Sequence, residues 1–251
     1  MTVTNSLFPM LNHAHHAQET EDLPFWLELA ARQGNPLLEL GCGTGRVLLP
    51  LVKAGYQVYG LDRDPAMLTF LRLSTPTELR SGLQLLQSDM TAFHLGKRFA
   101  MILLPCNTFS TLAQPARQAT LERVAMHLCP GGLFAASLPN PALLKRLPVA
   151  SDAELEDIFP HPLDSEPVQV SSAWVRHGDL FTLTWHYDHL LPDGRVERLS
   201  TRIQHHLAPV EAYLAELRAP GLEIKGVYGN FDWSPYDAGS SPYLILVAIA
   251  I

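Results

Sequence analysis

The chain is poor in charge. Asp, Glu, Lys and Arg make up 17% of its 251 residues, and acids outnumber bases for a net charge of −7. No run of basic residues occurs, which argues against a nucleic-acid backbone as partner. Cysteine is scarce as well. Cys42, Cys106 and Cys129 stand far apart with no C-x-x-C pair, a usage that fits a reducing, cytoplasmic compartment. The apolar stretch at residues 243–251 is too short to span a bilayer and reads as a buried strand. The first residues show no basic region followed by an apolar run, so no signal peptide is expected. Two nucleotide-loop signatures are also missing. No Gly-Lys-Ser/Thr triplet occurs, and a G-x-G-x-x-G fingerprint fails because Arg46 stands where its last glycine belongs.

What is present is a hydrophobic content of 47%, enough for a sizeable core. The length suits one large α/β domain, or one domain with an insertion. The densest signal is Leu37-Leu38-Glu39-Leu40-Gly41-Cys42-Gly43-Thr44-Gly45-Arg46. It reads as a buried strand, a turn with glycine at every second position, and the start of a helix. Glycine permits positive φ and lets a ligand approach the backbone closely, and the first N–H groups of a helix face an electron-rich ligand.

Around this loop the α/β alternation continues. A helix is expected over residues 23–33, with Pro24 in its first turn. Strands follow at 36–40, 57–61, 83–87, 99–104 and 133–138, with helices between most of them, which implies right-handed crossovers and a parallel sheet. Residues 1–20 read as polar and irregular. From about residue 150 the period changes to two. Residues 168–176, 180–190 and 195–207 alternate, separated by His177-Gly178-Asp179 and Pro192-Asp193-Gly194, which are hairpin signals. An antiparallel meander of three strands is therefore expected, then a helix at 209–219 and a final strand pair at 224–228 and 243–251. The expected division is an N-terminal arm (1–35), a cofactor-binding core (36–150), an inserted sheet acting as substrate lid (165–208) and a C-terminal part completing the core (209–251).

The loop matches E-x-G-x-G-x-G and resembles the first motif of the class I S-adenosylmethionine-dependent methyltransferases. Residues 59–68 resemble that family's second-strand motif and 85–90 its third. Leu128-Cys129-Pro130-Gly131-Gly132-Leu133 is similar to its L-x-P-G-G turn. The resemblance implies a Rossmann-like sheet, mostly parallel with an antiparallel final strand, plus the inserted meander. The small-molecule branch with such an insert, including sugar-amine N-methyltransferases, is the part of the family it resembles.

The resemblance also implies roles. Gly41, Cys42, Gly43, Thr44 and Gly45 lie under the methionine part of the cofactor. Glu39 orients the loop or reaches the cofactor's ammonium. Asp62 accepts from the ribose hydroxyls, a geometry shared with NAD enzymes. Arg63 and Met67 pack along the adenine, Asp89 accepts from its amine, and Met90 lies beside the ring. Pro105, Cys106 and Asn107 follow the fourth strand, where the transferred methyl belongs, and Asn107 is placed to orient the acceptor.

Transfer from a sulfonium is an in-line displacement in which the protein supplies alignment. Relatives carry N-S-F-x-H-L after the fourth strand. Here the run is Asn107-Thr108-Phe109-Ser110-Thr111-Leu112, with Thr111 in the histidine place. A proton acceptor, where one is needed, is therefore expected from the meander or the N-terminal arm, with His186 and His205 as candidates. No metal is expected, because His13, His15 and His16 lack the i, i+4 pair of a helical zinc site. The reading is methyl transfer from S-adenosyl-L-methionine to nitrogen or oxygen of a small-molecule acceptor, by a monomer or homodimer with no nucleic-acid or membrane partner. Two alternatives stay open: an NAD- or nucleotide-sugar-dependent oxidoreductase, and a non-catalytic cofactor-binding protein of the same fold.

Overall fold

The computed structural model describes residues 4–251, with side chains from residue 7 onward. Leucine-, valine- and isoleucine-rich segments form a seven-stranded sheet. Its strands are β1 (Leu37–Leu40), β2 (Val58–Asp62), β3 (Leu83–Gln87), β4 (Phe99–Leu104), β5 (Leu128–Pro139), β10 (Leu222–Tyr228) and β11 (Tyr243–Ala250). The order is β10-β11-β5-β4-β1-β2-β3. β1 to β5 run parallel, and β11 enters antiparallel between β5 and β10. β1 is buried at all four positions, as expected of a strand covered on both faces.

Alternate residues feed two cores. Leu37, Val58 and Met101 face α2 (Leu23–Gln33), α3 (Leu48–Lys53) and α4 (Pro65–Ser74), where Trp26, Leu48 and Leu71 are buried. Leu38, Leu61 and Ile102 face the other layer, with Leu121 of α5 (Gln114–His127) and Tyr213 and Leu217 of α7 (Val210–Arg218). Between those two helices, Arg117 and Glu216 form a buried two-pronged pair, both bonds 2.7 Å. A short helix, α6 (Pro141–Arg146), follows β5, capped by the Asn140 side chain.

The second sheet is antiparallel and has four strands, β6 (Glu154–Pro160), β7 (Pro167–His177), β8 (Leu180–Leu190) and β9 (Val196–His206), in sequential order. The hairpin glycines Gly178 and Gly194 take φ of 59° and 84°. One more strand is present than the period-two pattern announced. β6 is an exposed edge strand, so it carries acids where a covered strand would carry apolar residues.

The N-terminal segment departs from the expected irregular arm. α1 spans Thr4–His16, while residues 1–3 of that segment lie outside the described residues. Leu7, Phe8 and Leu11 pack on Val168, Val170 and Tyr187 of the second sheet. The helix forms because its apolar face meets that sheet and not the main core. No helix among the described residues is long and apolar enough to cross a membrane.

Candidate active site

The turn after β1 is built by glycine geometry. Gly41, Gly43 and Gly45 all have positive φ, at 68°, 50° and 88°. A Cβ on Gly45 would lie 2.5 Å from Leu71 of α4, and one on Gly41 would lie 3.0 Å from Thr108. These contacts let α4 and the segment after β4 close on the loop from two sides.

Asp62, at the end of β2, holds this turn. One carboxylate oxygen accepts from the Gly43 N–H at 2.8 Å and the other from the Asp64 N–H at 2.9 Å. A carboxylate offers about four lone-pair directions, so each oxygen retains one that the protein leaves open. The helix-capping role falls to Asp64, which accepts from the Ala66 N–H at 2.8 Å. Asp89 accepts at one oxygen from both the N–H and the hydroxyl of Thr91. Those bonds hold its carboxyl below the usual range, with Arg63 adding a smaller pull. Met90 reaches back to Gly41. Met67 is half-buried on α4 and Arg63 is exposed. Cys42 does not offer its side chain. The thiol packs against Gly60 in the core, and burial pushes its pKa up, so only its backbone faces the loop.

Glu39 is buried, and burial raises its pKa well above the usual value, opposed by Arg46. Its Oε2 has no hydrogen-bond partner in the protein. An orphaned buried acceptor under a glycine turn fits a ligand bearing an ammonium group. Arg46, read from sequence only as an obstacle to a dinucleotide loop, has a structural task. It makes two bonds to Asp22, 2.6 and 2.7 Å, and one to Cys106 Sγ at 3.0 Å. It thereby ties α2 and the first helical turn after the loop to the segment following β4.

That segment is strained at its first turn. Cys106 and Asn107 are consecutive non-glycine residues at φ 57° and 60°, a conformation that costs on the order of 1–3 kcal/mol each and clusters at functional sites. Pro105 before them is buried. Cys106 is open to solvent yet surrounded by protein, as a residue lining a cleft is. Desolvation there pushes its thiol up to about 12, Arg46 opposing.

The second sheet meets this segment. His205 on β9 is buried, with Nδ1 2.8 Å from Ser110 Oγ, and Ser110 Oγ is 2.8 Å from the Asn107 carbonyl. With the one hydroxyl proton donated to that carbonyl, His205 Nδ1 carries hydrogen and Nε2 is its basic nitrogen. Burial lowers the His205 pKa to about 4. Thr111 bonds the Thr108 carbonyl. His186 is not part of this group. It pairs across from Ser200, and its Nδ1 bonds the Ser200 hydroxyl on an exposed part of the sheet. His205 lies across from Phe181, so the two histidines point to opposite faces. His186 as a candidate for catalysis is corrected on that ground. From α1, His13 comes within 3.4 Å of Thr44 Oγ1 and packs at a tilt against Phe70, while His15 bonds the Tyr187 hydroxyl.

Sequence reasoning missed Arg46–Asp22, Ser110 and Thr108 as shapers of this site. Asp22, four residues before the buried Trp26 whose indole it accepts at 2.9 Å, carried a local signal. Ser110 carried none until β9 was placed beside it.

Comparison with known proteins agrees with this geometry. A family model described as a methyltransferase domain matches residues 37–132. The cypemycin N-terminal methyltransferase of a Streptomyces species is 28% identical over 85% of this chain and 83% of its own. The dTDP-3-amino-3,6-dideoxy-alpha-D-glucopyranose N,N-dimethyltransferase of Streptomyces fradiae is 32% identical over 46% of this chain and 44% of its own. An S-adenosylmethionine-dependent methyltransferase structure from Clostridium acetobutylicum shares the fold at a TM-score of 0.79. It is 15% identical and covers 97% of this chain and 98% of its own. Residues 37–132 form a methyltransferase domain, and the relatives and shared fold together support a class I S-adenosylmethionine-dependent methyltransferase, with S-adenosyl-L-methionine as cofactor and S-adenosyl-L-homocysteine as product.

Proposed function

We propose that the acceptor is a small-molecule amine and that the atom methylated is nitrogen. The observation that carries this reading is the lack of a poised base, among the described residues, at the segment after β4. Besides the Arg46 guanidinium, the two titratable groups on it or bonded to it sit far from neutrality, His205 lowered to about 4 and Cys106 raised to about 12, both by burial. General-base catalysis works best with a pKa near the working pH. An alcohol needs such a base in order to attack. A neutral amine carries its own lone pair and sheds its proton afterwards.

When bound, the cofactor supplies an electrophilic methyl group. The residues around it align and desolvate. Asp62 and Asp89 hold the nucleoside end through their free lone pairs, and Glu39 faces the ammonium end. Asn107, fixed in its left-handed conformation by the Ser110–His205 chain, presents its amide to the acceptor. The second sheet and α1 cover the site as a lid. Holding nucleophile and methyl in line supplies several kcal/mol of the barrier. Two of the relatives named above methylate nitrogen, one at a peptide N-terminus and one on an amino sugar, which supports an amine in this chain too.

The test is a panel of peptides with free N-termini, amino sugars and their hydroxyl counterparts, read by S-adenosylhomocysteine formation and product mass. The expected result is a gain of one or two methyl groups on amines alone. Turnover of the hydroxyl compounds with none of the amines would overturn the assignment.

A further inference from the structure

A second cluster of side chains lies in the antiparallel sheet, apart from the cofactor loop. His161 follows β6, Asp164 sits in the turn to β7, and His189 stands near the end of β8. The two imidazoles stack, with centroids 4.0 Å apart and planes 12° from parallel. His161 Nδ1 is 3.1 Å from Asp164 Oδ1, and His189 Nε2 is 3.2 Å from the same carboxylate. All three donor atoms lie within 4.8 Å of one another.

The backbone holds this arrangement in place. The His161 N–H bonds the Glu166 carbonyl at 2.7 Å and the Ser165 N–H bonds the His161 carbonyl at 2.9 Å. The Glu166 N–H bonds Asp164 Oδ1 at 3.1 Å. Ser165 pays for the tight turn with a φ of 65°. The histidine side chains are 5% and 11% exposed and Asp164 is 44% exposed, so the imidazoles are enclosed and the carboxylate side is open.

We propose that His161 Nδ1, His189 Nε2 and Asp164 bind a zinc-class divalent metal ion, with water as fourth ligand. Zinc bonds of about 2.0–2.1 Å to nitrogen and oxygen in a tetrahedron separate neighbouring ligand atoms by roughly 3.3–3.4 Å. The two nitrogen–oxygen separations here are 3.1 and 3.2 Å, so the carboxylate already stands near ligand distance from each nitrogen, and binding requires the stacked rings to turn out of parallel until both in-plane lone pairs meet at one ion. Two imidazoles and one carboxylate are a donor set that zinc accepts. Binding replaces any protons the ring nitrogens offer the carboxylate and releases them to solvent.

The ion's role is structural. His189 lies eight residues along β8 from Phe181, the cross-strand neighbour of His205, on the order of 27 Å at strand rise. An ion there clamps the β6–β7 turn onto β8. It thereby steadies Phe159, which contacts His15 of α1.

The test uses the full chain without an affinity tag. Zinc chloride is added, loosely held metal is removed by desalting, and bound zinc is counted by mass spectrometry. Cobalt(II) serves as the spectroscopic probe, and S-adenosylhomocysteine titration reports that each variant is folded. The wild type is expected to retain one zinc per chain, to melt at higher temperature with zinc, and to give the visible bands of tetrahedral cobalt. Asp164→Asn and His189→Gln should weaken zinc binding at least tenfold with cofactor affinity unchanged, while His16→Gln should bind zinc as the wild type does. The proposal is overturned if the wild type retains no zinc, or if Asp164→Asn and His189→Gln retain as much as it does.

Discussion

Single side chains in this protein often serve two neighbours at once. Asp62 pins Gly43 and Asp64 while keeping lone pairs open, which we propose the ribose hydroxyls fill. Asp62→Ala removes both tethers together with the ligand bonds. S-adenosylhomocysteine affinity should fall by about 1–3 kcal/mol, measured by calorimetry, with the Asn variant falling less. Ser110 links His205 to the strained Asn107. Ser110→Ala leaves the buried Nδ1–H of His205 without an acceptor and should destabilise the fold by about 1–3 kcal/mol in urea unfolding. Wild-type stability in that variant would mean the ring reorients freely and does not brace the segment.

Elements were legible from sequence to the extent that burial left its mark on them. The parallel strands and the turns at Gly41–Gly45 and at Gly178 and Gly194 announce themselves, because a doubly covered strand must be apolar and a tight turn needs positive φ. α1 and β6 did not. The apolar side chains α1 packs on the second sheet are Leu7, Phe8 and Leu11, too thin a stripe to stand out among histidines. β6 sits at an edge with acids on show. The site divides in the same way. Glycine loop and acids are fixed by local spacing, whereas Ser110–His205 spans 95 residues and Arg46–Cys106 spans 60, and no local pattern encodes such a meeting. The zinc-type cluster was hidden similarly, since His189 joins His161 and Asp164 only through strand register. The α5–α7 contact gives a prediction at this scale. Glu216→Leu strands the buried Arg117 guanidinium, 3% exposed, and should cost about 3–5 kcal/mol. Adding Arg117→Met should recover much of that, as read from the two melting curves.

The whole molecule is two sheets joined through α1 and the segment after β4, and both joints carry a buried neutral histidine. Burial lowers His15 and His205 from 6.5 to about 4, with His16 and His206 respectively adding to the lowering. Between pH 6.5 and 4 the unfolded chain therefore binds more protons than the folded one. The stability these two sites contribute is complete above about pH 6.5 and is lost as the pH falls toward 4. A pH series of urea midpoints should fall through that window, and His205→Gln should flatten the slope. An unchanged slope would mean that His205 takes up its proton equally in the folded and the unfolded chain.

The most direct measurement of the central claim, that the Gly41–Gly45 turn with Asp62 forms the S-adenosylmethionine seat, is calorimetric titration of the full chain with S-adenosylhomocysteine and, separately, with NAD. One-to-one binding of S-adenosylhomocysteine, weakened roughly fivefold or more by Asp62→Ala, with no heat from NAD, is the result predicted. Binding of NAD without any response to S-adenosylhomocysteine, or full affinity in Asp62→Ala, would contradict it.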